Sequence, residues 1–153
     1  MDDQTFRQAM GKFATGVTVI ATEAGGEIHG MTANAFMSVS LDPKLIVVSI
    51  DKKSRMLEKI NEAQTFSVNF LRKEQIDYSK LFAGQIKEER EIPFDRLHNL
   101  PVIEDALVSI ACSVHNVHDE GDHILFIGNV LDITINDGDP LLFYNGKYSQ
   151  IKK

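Results

Sequence analysis

Extended, β-branched runs, several of them joined by tight turns or short breaks, are the feature that most limits how this chain can fold. Parallel strands need a connection of a dozen or more residues, usually a helix, whereas antiparallel strands can be joined by a tight turn. Val17 to Thr22 reads as a strand, Gly25-Gly26 as its turn, and Ile28 onward as its return, which makes a hairpin. Thr32 to Ser40 mixes small and apolar residues, Asp42-Pro43 breaks it, and Lys44 to Ile50 is apolar enough to be a buried strand. Thr65 to Leu71, Ala106 to His118 and Asp122 to Asn136 are also extended. Leu141 to Tyr144 and Lys147 to Ile151 flank Asn145-Gly146, the pair preferred in a type I′ turn.

The helical patterns are short and scattered. Phe6, Ala9, Met10 and Phe13 recur at helical spacing behind a cap at Asp2 or Asp3, with Gly16 closing the segment. Ser54 to Ala63 puts Met56, Leu57 and Ile60 on one face, and Lys73 to Phe82 has a moderate face of Ile76, Ser79, Lys80 and Leu81. Gln85 to Glu91 is charged and aperiodic, as a surface loop or lid would be, and a plain solvated connection has the same pattern and is the commoner case. These patterns predict a mainly β fold with peripheral short helices, built as a closed or nearly closed antiparallel barrel. At 153 residues the whole chain, 1–153, suits one domain.

Sixteen Lys plus Arg against twenty-two Asp plus Glu leaves a net charge of −6, which disfavours attachment to nucleic acid or an anionic membrane. The amino terminus opens on Asp2 and Asp3 without the basic and apolar order of an export signal, and no apolar run approaches a bilayer-spanning length. Cys112 is the one thiol and lies in an apolar run, so it reads as packing in a reducing, cytoplasmic setting. Gly25, Gly26 and Gly30 miss the dinucleotide-fold glycine spacing. Asp132, Asn136, Asp137 and Gly138 miss a calcium loop, with the glycine one place late and Phe143 where the final glutamate belongs. Cys112, His115, His118 and His123 do not make a zinc site, because His115 and His118 point to opposite faces of an unbroken strand. No metal is expected.

Three stretches could carry chemistry. Asp51-Lys52-Lys53-Ser54-Arg55 gathers cations at a helix start, where a Ser54 cap, free backbone N–H groups and the helix dipole suit a phosphate. A solvated turn has the same composition. From Gly30 to Ser40, small and hydrogen-bonding residues alternate with bulky apolar ones. Backbone could there approach a flat heteroaromatic while Thr32, Asn34 and Ser38 meet its polar edge; a strand beside a subunit interface would look alike. Gly121-Asp122-His123 sits between two strands, where a histidine could touch a substrate.

At these residues the chain resembles the short-chain flavin reductases that serve two-component flavin monooxygenases. The resemblance runs through Gly16 to Ile20, Gly30 to Asn34, Ser38 to Pro43, Phe82-Ala83-Gly84, Leu100-Pro101-Val102, Gly121-Asp122-His123, Pro140 to Tyr144 and Gly146-Lys147-Tyr148, in order and nearly end to end. It is nearest to the reductases of phenol and 4-hydroxyphenylacetate hydroxylases. The resemblance implies a flavin-binding split β-barrel, a homodimer, and flavin reduction by a nicotinamide nucleotide. It sets the isoalloxazine along Thr32, Ala33, Asn34, Ser38 and Val39, and the phosphate end near Ser49, Ile50, Lys53, Ser54 and Met56. Phe82, Ala83 and Gly84 complete that pocket, and His123 and Tyr148 fall near the nicotinamide.

FAD with NADH is the expected pairing, with FMN and NADPH the alternatives. Hydride transfer between nicotinamide and flavin uses the cofactors' own orbitals, so the protein needs positioning rather than a paired acid and base. A neutral His123 would donate to the carboxamide or ribose. Reduced flavin would then feed a separate oxygenase acting on a phenol-type aromatic. A ferric or other acceptor reductase, and a flavin-binding dimer without turnover, are the competing readings.

Overall fold

The computed structural model describes residues 1–84 and 92–153; the charged segment 85–91, expected as a surface loop or lid, lies outside the described residues. β-Branched Thr18, Val19, Ile20 and Thr22 hold β2 (Thr18–Ala24) extended. Gly25 and Gly26, both at positive φ, turn it into β3 (Glu27–Ala33). The stretch read as one mixed segment is two strands. β3 stops at Ala33, Asn34-Ala35 make a corner, and β4 (Phe36–Leu41) pairs with β5 (Lys44–Asp51) across a cis Asp42-Pro43 peptide. β6 (Thr65–Phe70), β9 (Val108–Glu120) and β10 (His123–Ile135) complete an antiparallel seven-stranded sheet in the order β3-β2-β6-β9-β10-β5-β4. Its two edge strands, β3 and β4, are thus successive in the chain, joined at the Asn34-Ala35 corner.

Alternation along β2 splits the core in two. Ile20 enters a cluster with Val48, Ile50, Phe66, Val68 and Phe126, which α2 (Arg55–Ala63) covers with Met56 and Ile60. Val19, on the other face, joins Val17, Leu71, Ile103, Ala106 and Leu141. Tyr78, Phe82, Phe143 and Tyr148 pack against that second cluster. Cys112 lies wholly inside the first, as its apolar setting predicts.

Two short sheets close the second cluster. β7 (Phe94–Leu97) and β8 (Leu100–Ile103) form a hairpin that hydrophobic pattern does not announce. His98 and Asn99 take positive φ (50° and 63°) to make its two-residue turn. Asn69, buried in β6, ties that hairpin down: its Oδ1 accepts from the Ile103 N–H and the Ser109 hydroxyl, and its Nδ2 donates to the Val19 carbonyl. The other sheet joins β1 (Thr15–Gly16), β11 (Leu142–Tyr144) and β12 (Lys147–Ser149), with Asn145-Gly146 at φ 53° and 77° as the expected turn.

α1 (Asp3–Gly11) is capped by Asp2, whose carboxylate accepts from the Thr5 N–H at 2.7 Å. The helix ends at Gly11 rather than reaching Gly16, because Thr15 and Gly16 are drawn into pairing with β11. Its apolar face stays open, with Phe6, Met10 and Phe13 at 55%, 56% and 78% exposure. α3 (Ile76–Phe82) follows a 3₁₀ turn over Lys73–Gln75. No helix among the described residues is long and apolar enough to cross a membrane.

Candidate functional site

The site grows from four successive residues of β3, each turned by strand alternation toward a different neighbour. Gly30 accepts the Phe82 ring of α3 against its backbone: a Cβ built there would lie 2.6 Å from the ring carbons. Met31 faces the first core cluster, and its sulfur accepts from the Ser54 hydroxyl at 3.2 Å. Thr32 faces α3 again, its hydroxyl donating to the Ser79 carbonyl at 2.6 Å. Ala33 packs on the first cluster, and its carbonyl accepts from the Thr18 hydroxyl.

Thr32, Ala33 and Asn34 meet Ala83 and Tyr148 around a cavity of about 160 Å³, with Val17, Ser79 and Phe143 as its remaining walls. Asn34 also borders two cavities of about 300 and 310 Å³. The first is lined by Thr15, Phe36, Leu107 and Leu141; the second lies beneath the Phe6, Met10 and Phe13 face of α1. Ser49 and His123 share a larger cleft with Ala35, Phe6, Arg7 and Met10. The corner between β3 and β4 and the underside of α1 therefore join two groups of expected residues that are far apart in sequence. Ser38 and Val39 lie exposed on β4, Val39 at a bulge where the register with β5 slips, and they line none of these cavities.

At the start of α2 the expected Ser54 cap is present, accepting from the Met56 N–H at 3.2 Å. The three cations there divide. Lys52 pairs with Asp119 at 2.6 Å, while the exposed Lys53 and Arg55 side chains make no ion pair among the described residues. Ile50 and Met56 are buried with their side chains in the core, so a ligand there could meet only their backbone. Phe82 is spent on Gly30 and stacks edge-on with Phe94, while Ala83 and the positive-φ Gly84 lead out of α3.

His123 Nδ1 lies 2.8 Å from Asp122 Oδ1. The hydrogen bond from His123, followed by its charge, holds the Asp122 carboxyl below its ordinary value. A carboxylate cannot donate, so Nδ1 carries the proton and a neutral His123 offers Nε2 as an acceptor. The donor role expected from sequence would fall to Nε2 of a protonated ring, whereas a neutral ring would accept there. His115 breaks a second expectation, since it is the extra residue of a bulge where β9 pairs Val114 and Asn116 with successive residues of β10. Among the described residues, no group of three His, Cys, Asp or Glu side chains is placed to hold a metal ion.

The walls set apolar Val17, Ala33, Ala83 and Phe143 beside the polar groups of Thr32, Asn34 and Tyr148. One buried hydroxyl, Thr15 Oγ1, finds no partner among the described residues, and Thr15 lines the cavity of about 300 Å³. Sequence reasoning did not single out Thr15 or Ser79, because a lone hydroxyl in a strand or helix carries no local signal. Residues 10–152 match the flavin reductase like domain. The chain belongs to the flavin reductase family. It is 42% identical over 149 residues to an NADH-dependent flavin reductase of a Rhodococcus species, covering 95% of this chain and 85% of that protein. It is 34% identical over 149 residues to the reductase component of 4-hydroxyphenylacetate 3-monooxygenase of Thermus thermophilus, covering 97% and 96%. Among solved flavin reductases, PheA2 in its native state superposes with a TM-score of 0.99 at 57% identity, with each chain covered in full.

Proposed function

We propose that the chain is an NADH:flavin oxidoreductase that binds FAD, with FMN as the alternative flavin, and hands reduced flavin to a separate oxygenase acting on a phenol-type aromatic. The observation that carries this reading is the meeting of Thr32, Ala33, Asn34, Ala83 and Tyr148 on one cavity, linked through the Asn34-Ala35 corner to Ser49 and His123. Bound flavin and nicotinamide supply the hydride chemistry between them.

The protein's own work is placement. Thr32, whose proton is committed to Ser79, presents lone pairs to the ring edge. Asn34 offers an amide at the junction of the cavities. Lys53 and the capped start of α2 receive the flavin phosphate, a placement that the exposed Lys53 side chain and the helix dipole favour. His123 accepts from the carboxamide or ribose of the nucleotide, and Tyr148 lies against the same ligand. The α1 face limits water at the flavin.

Two copies complete the site in this reading, as a split-barrel homodimer. Met37, Leu41, Ile133 and Ile135 are 59%, 80%, 45% and 75% exposed along β4 and β10, an apolar strip that a second copy of the chain would cover. A cytoplasmic setting fits the single buried thiol.

The test is an anaerobic titration of the purified chain with FAD and FMN, followed by NADH and NADPH, reading the flavin bands and the 340 nm loss. Flavin uptake and rapid reduction by NADH are expected, with transfer to an added phenol-hydroxylating oxygenase. Absence of flavin uptake would falsify the proposal, and uptake without reduction would leave only a passive flavin carrier.

A further inference from the structure

We propose that Ser79 is a positioning residue for the nicotinamide nucleotide, acting through Tyr148; the inference rests on the flavin reductase reading above. Ser79 is wholly buried in α3, yet carries a hydroxyl into the apolar second cluster. Two of its groups reach two walls of one cavity. Its carbonyl accepts from the Thr32 hydroxyl of β3 at 2.6 Å, and its Oγ lies 2.7 Å from the Tyr148 hydroxyl of β12.

The proton count decides the direction of the second bond. Two hydroxyls sharing one hydrogen bond keep one proton to give elsewhere. Were Tyr148 the donor, the Ser79 proton would be left in a buried place with no acceptor among the described residues, a costly arrangement. With Ser79 donating, no proton is stranded, and the Tyr148 O–H is free to donate into the cavity that both residues line. The Tyr148 ring is held independently by edge-on contact with Phe143, centroids 5.4 Å apart, with Lys80 Nζ 6.0 Å from its centre. Ring tilt is thus set by Phe143 and proton direction by Ser79. Tyr148 becomes a fixed donor to an acceptor oxygen of the nucleotide, complementary to His123, which accepts.

Ser79→Ala deletes the hydroxyl and keeps the carbonyl that anchors Thr32, so the flavin and nucleotide sides should separate. The expected result is a KM for NADH raised about threefold to tenfold, on the scale of one lost hydrogen bond. The dissociation constant for flavin and kcat at saturating NADH should stay within about twofold of the unaltered chain. Ser79→Cys, close in volume but a weaker donor, should give an intermediate KM, and it carries the test if the alanine variant folds poorly. In a Tyr148→Phe background, Ser79→Ala should add nothing further. An unchanged KM, an equal loss of flavin affinity, or a full effect persisting beside Tyr148→Phe would each overturn the role of Ser79. If the unaltered chain fails to oxidise NADH with any flavin, the reading of the function itself fails, and this inference falls with it.

Discussion

Cys112 shows how much one side chain's surroundings decide its chemistry. It lies wholly buried between Phe66 of β6 and the backbone of Gly128 in β10, where a Cβ on Gly128 would come within 3.1 Å of its sulfur. Burial pushes the thiol up to about 12 from an ordinary value of 9.0. The thiolate is the nucleophile, so the folded chain should resist iodoacetamide at pH 8 and take up one equivalent only in denaturant. Rapid labelling of the native chain, read by mass spectrometry, would show the thiol to be accessible. The pH dependence has a definite sign. A folded value raised above the unfolded one gives stability that is fully present below about pH 9 and is lost as pH rises towards about 12. Urea midpoints of the native chain and Cys112→Ala should therefore converge across that alkaline range. His123 makes the complementary point, because the exposed Asp122 carboxylate beside it holds the proton on Nδ1.

At the scale of elements, Asn69 adds to the apolar packing of β6 a set of hydrogen bonds that reach Val19 of β2, Ile103 of β8 and Ser109 of β9. Replacing Asn69 with Ala leaves the Ile103 N–H and the Ser109 hydroxyl without the oxygen they share, in a buried place. A loss on the order of 3 kcal/mol is expected from two unsatisfied groups. Urea denaturation would measure it, and a loss under about 1 kcal/mol would mean that β8 is held by packing alone. The elements themselves were legible where one local rule acts. Gly25-Gly26 and Asn145-Gly146 took the positive φ their turns require, and Asp2 and Ser54 capped the helices they precede. The β7–β8 hairpin escaped notice because His98 and Asn99 are weak turn signals between two four-residue strands. The Asn34-Ala35 corner escaped for a different reason. Nothing local distinguishes a bend from a continuous strand there, and the turn follows from β3 and β4 pairing with different partners. The second site wall was only half visible for the same reason: Thr32 stood out in the small and polar run after Gly30 and Tyr148 came through resemblance, whereas Ser79 becomes meaningful only when α3 brings it to both.

For the whole molecule, the decisive quantity is the apolar surface one chain leaves open. α1 buries none of its residues, and the strip from Met37 to Leu41 and from Ile133 to Ile135 faces outward. Sedimentation velocity at about 10 μM, a concentration where interfaces of ordinary size stay associated, should find two copies. Leu41→Glu with Ile135→Glu should shift the chain towards one copy and weaken flavin binding with it. A monomeric native chain that still binds flavin at full strength would mean the site is finished within one subunit. The net charge of −6 sets no barrier to association through an apolar face, but it makes the exposed Lys53 and Arg55 a local exception on an acidic surface.

The run from Gly30 to Ala33 has a practical meaning for anyone wishing to alter ligand preference. Each position there answers to a different neighbour, in turn the Phe82 ring, Ser54, Ser79 and the first core cluster, so a mutational library across all four would mostly disturb packing rather than ligand preference. Diversity belongs one step further along, at Asn34 and Ala35. There the backbone has left the ladder and the side chains are exposed, and the compartments meet, so new chemistry can be written without rewriting the fold.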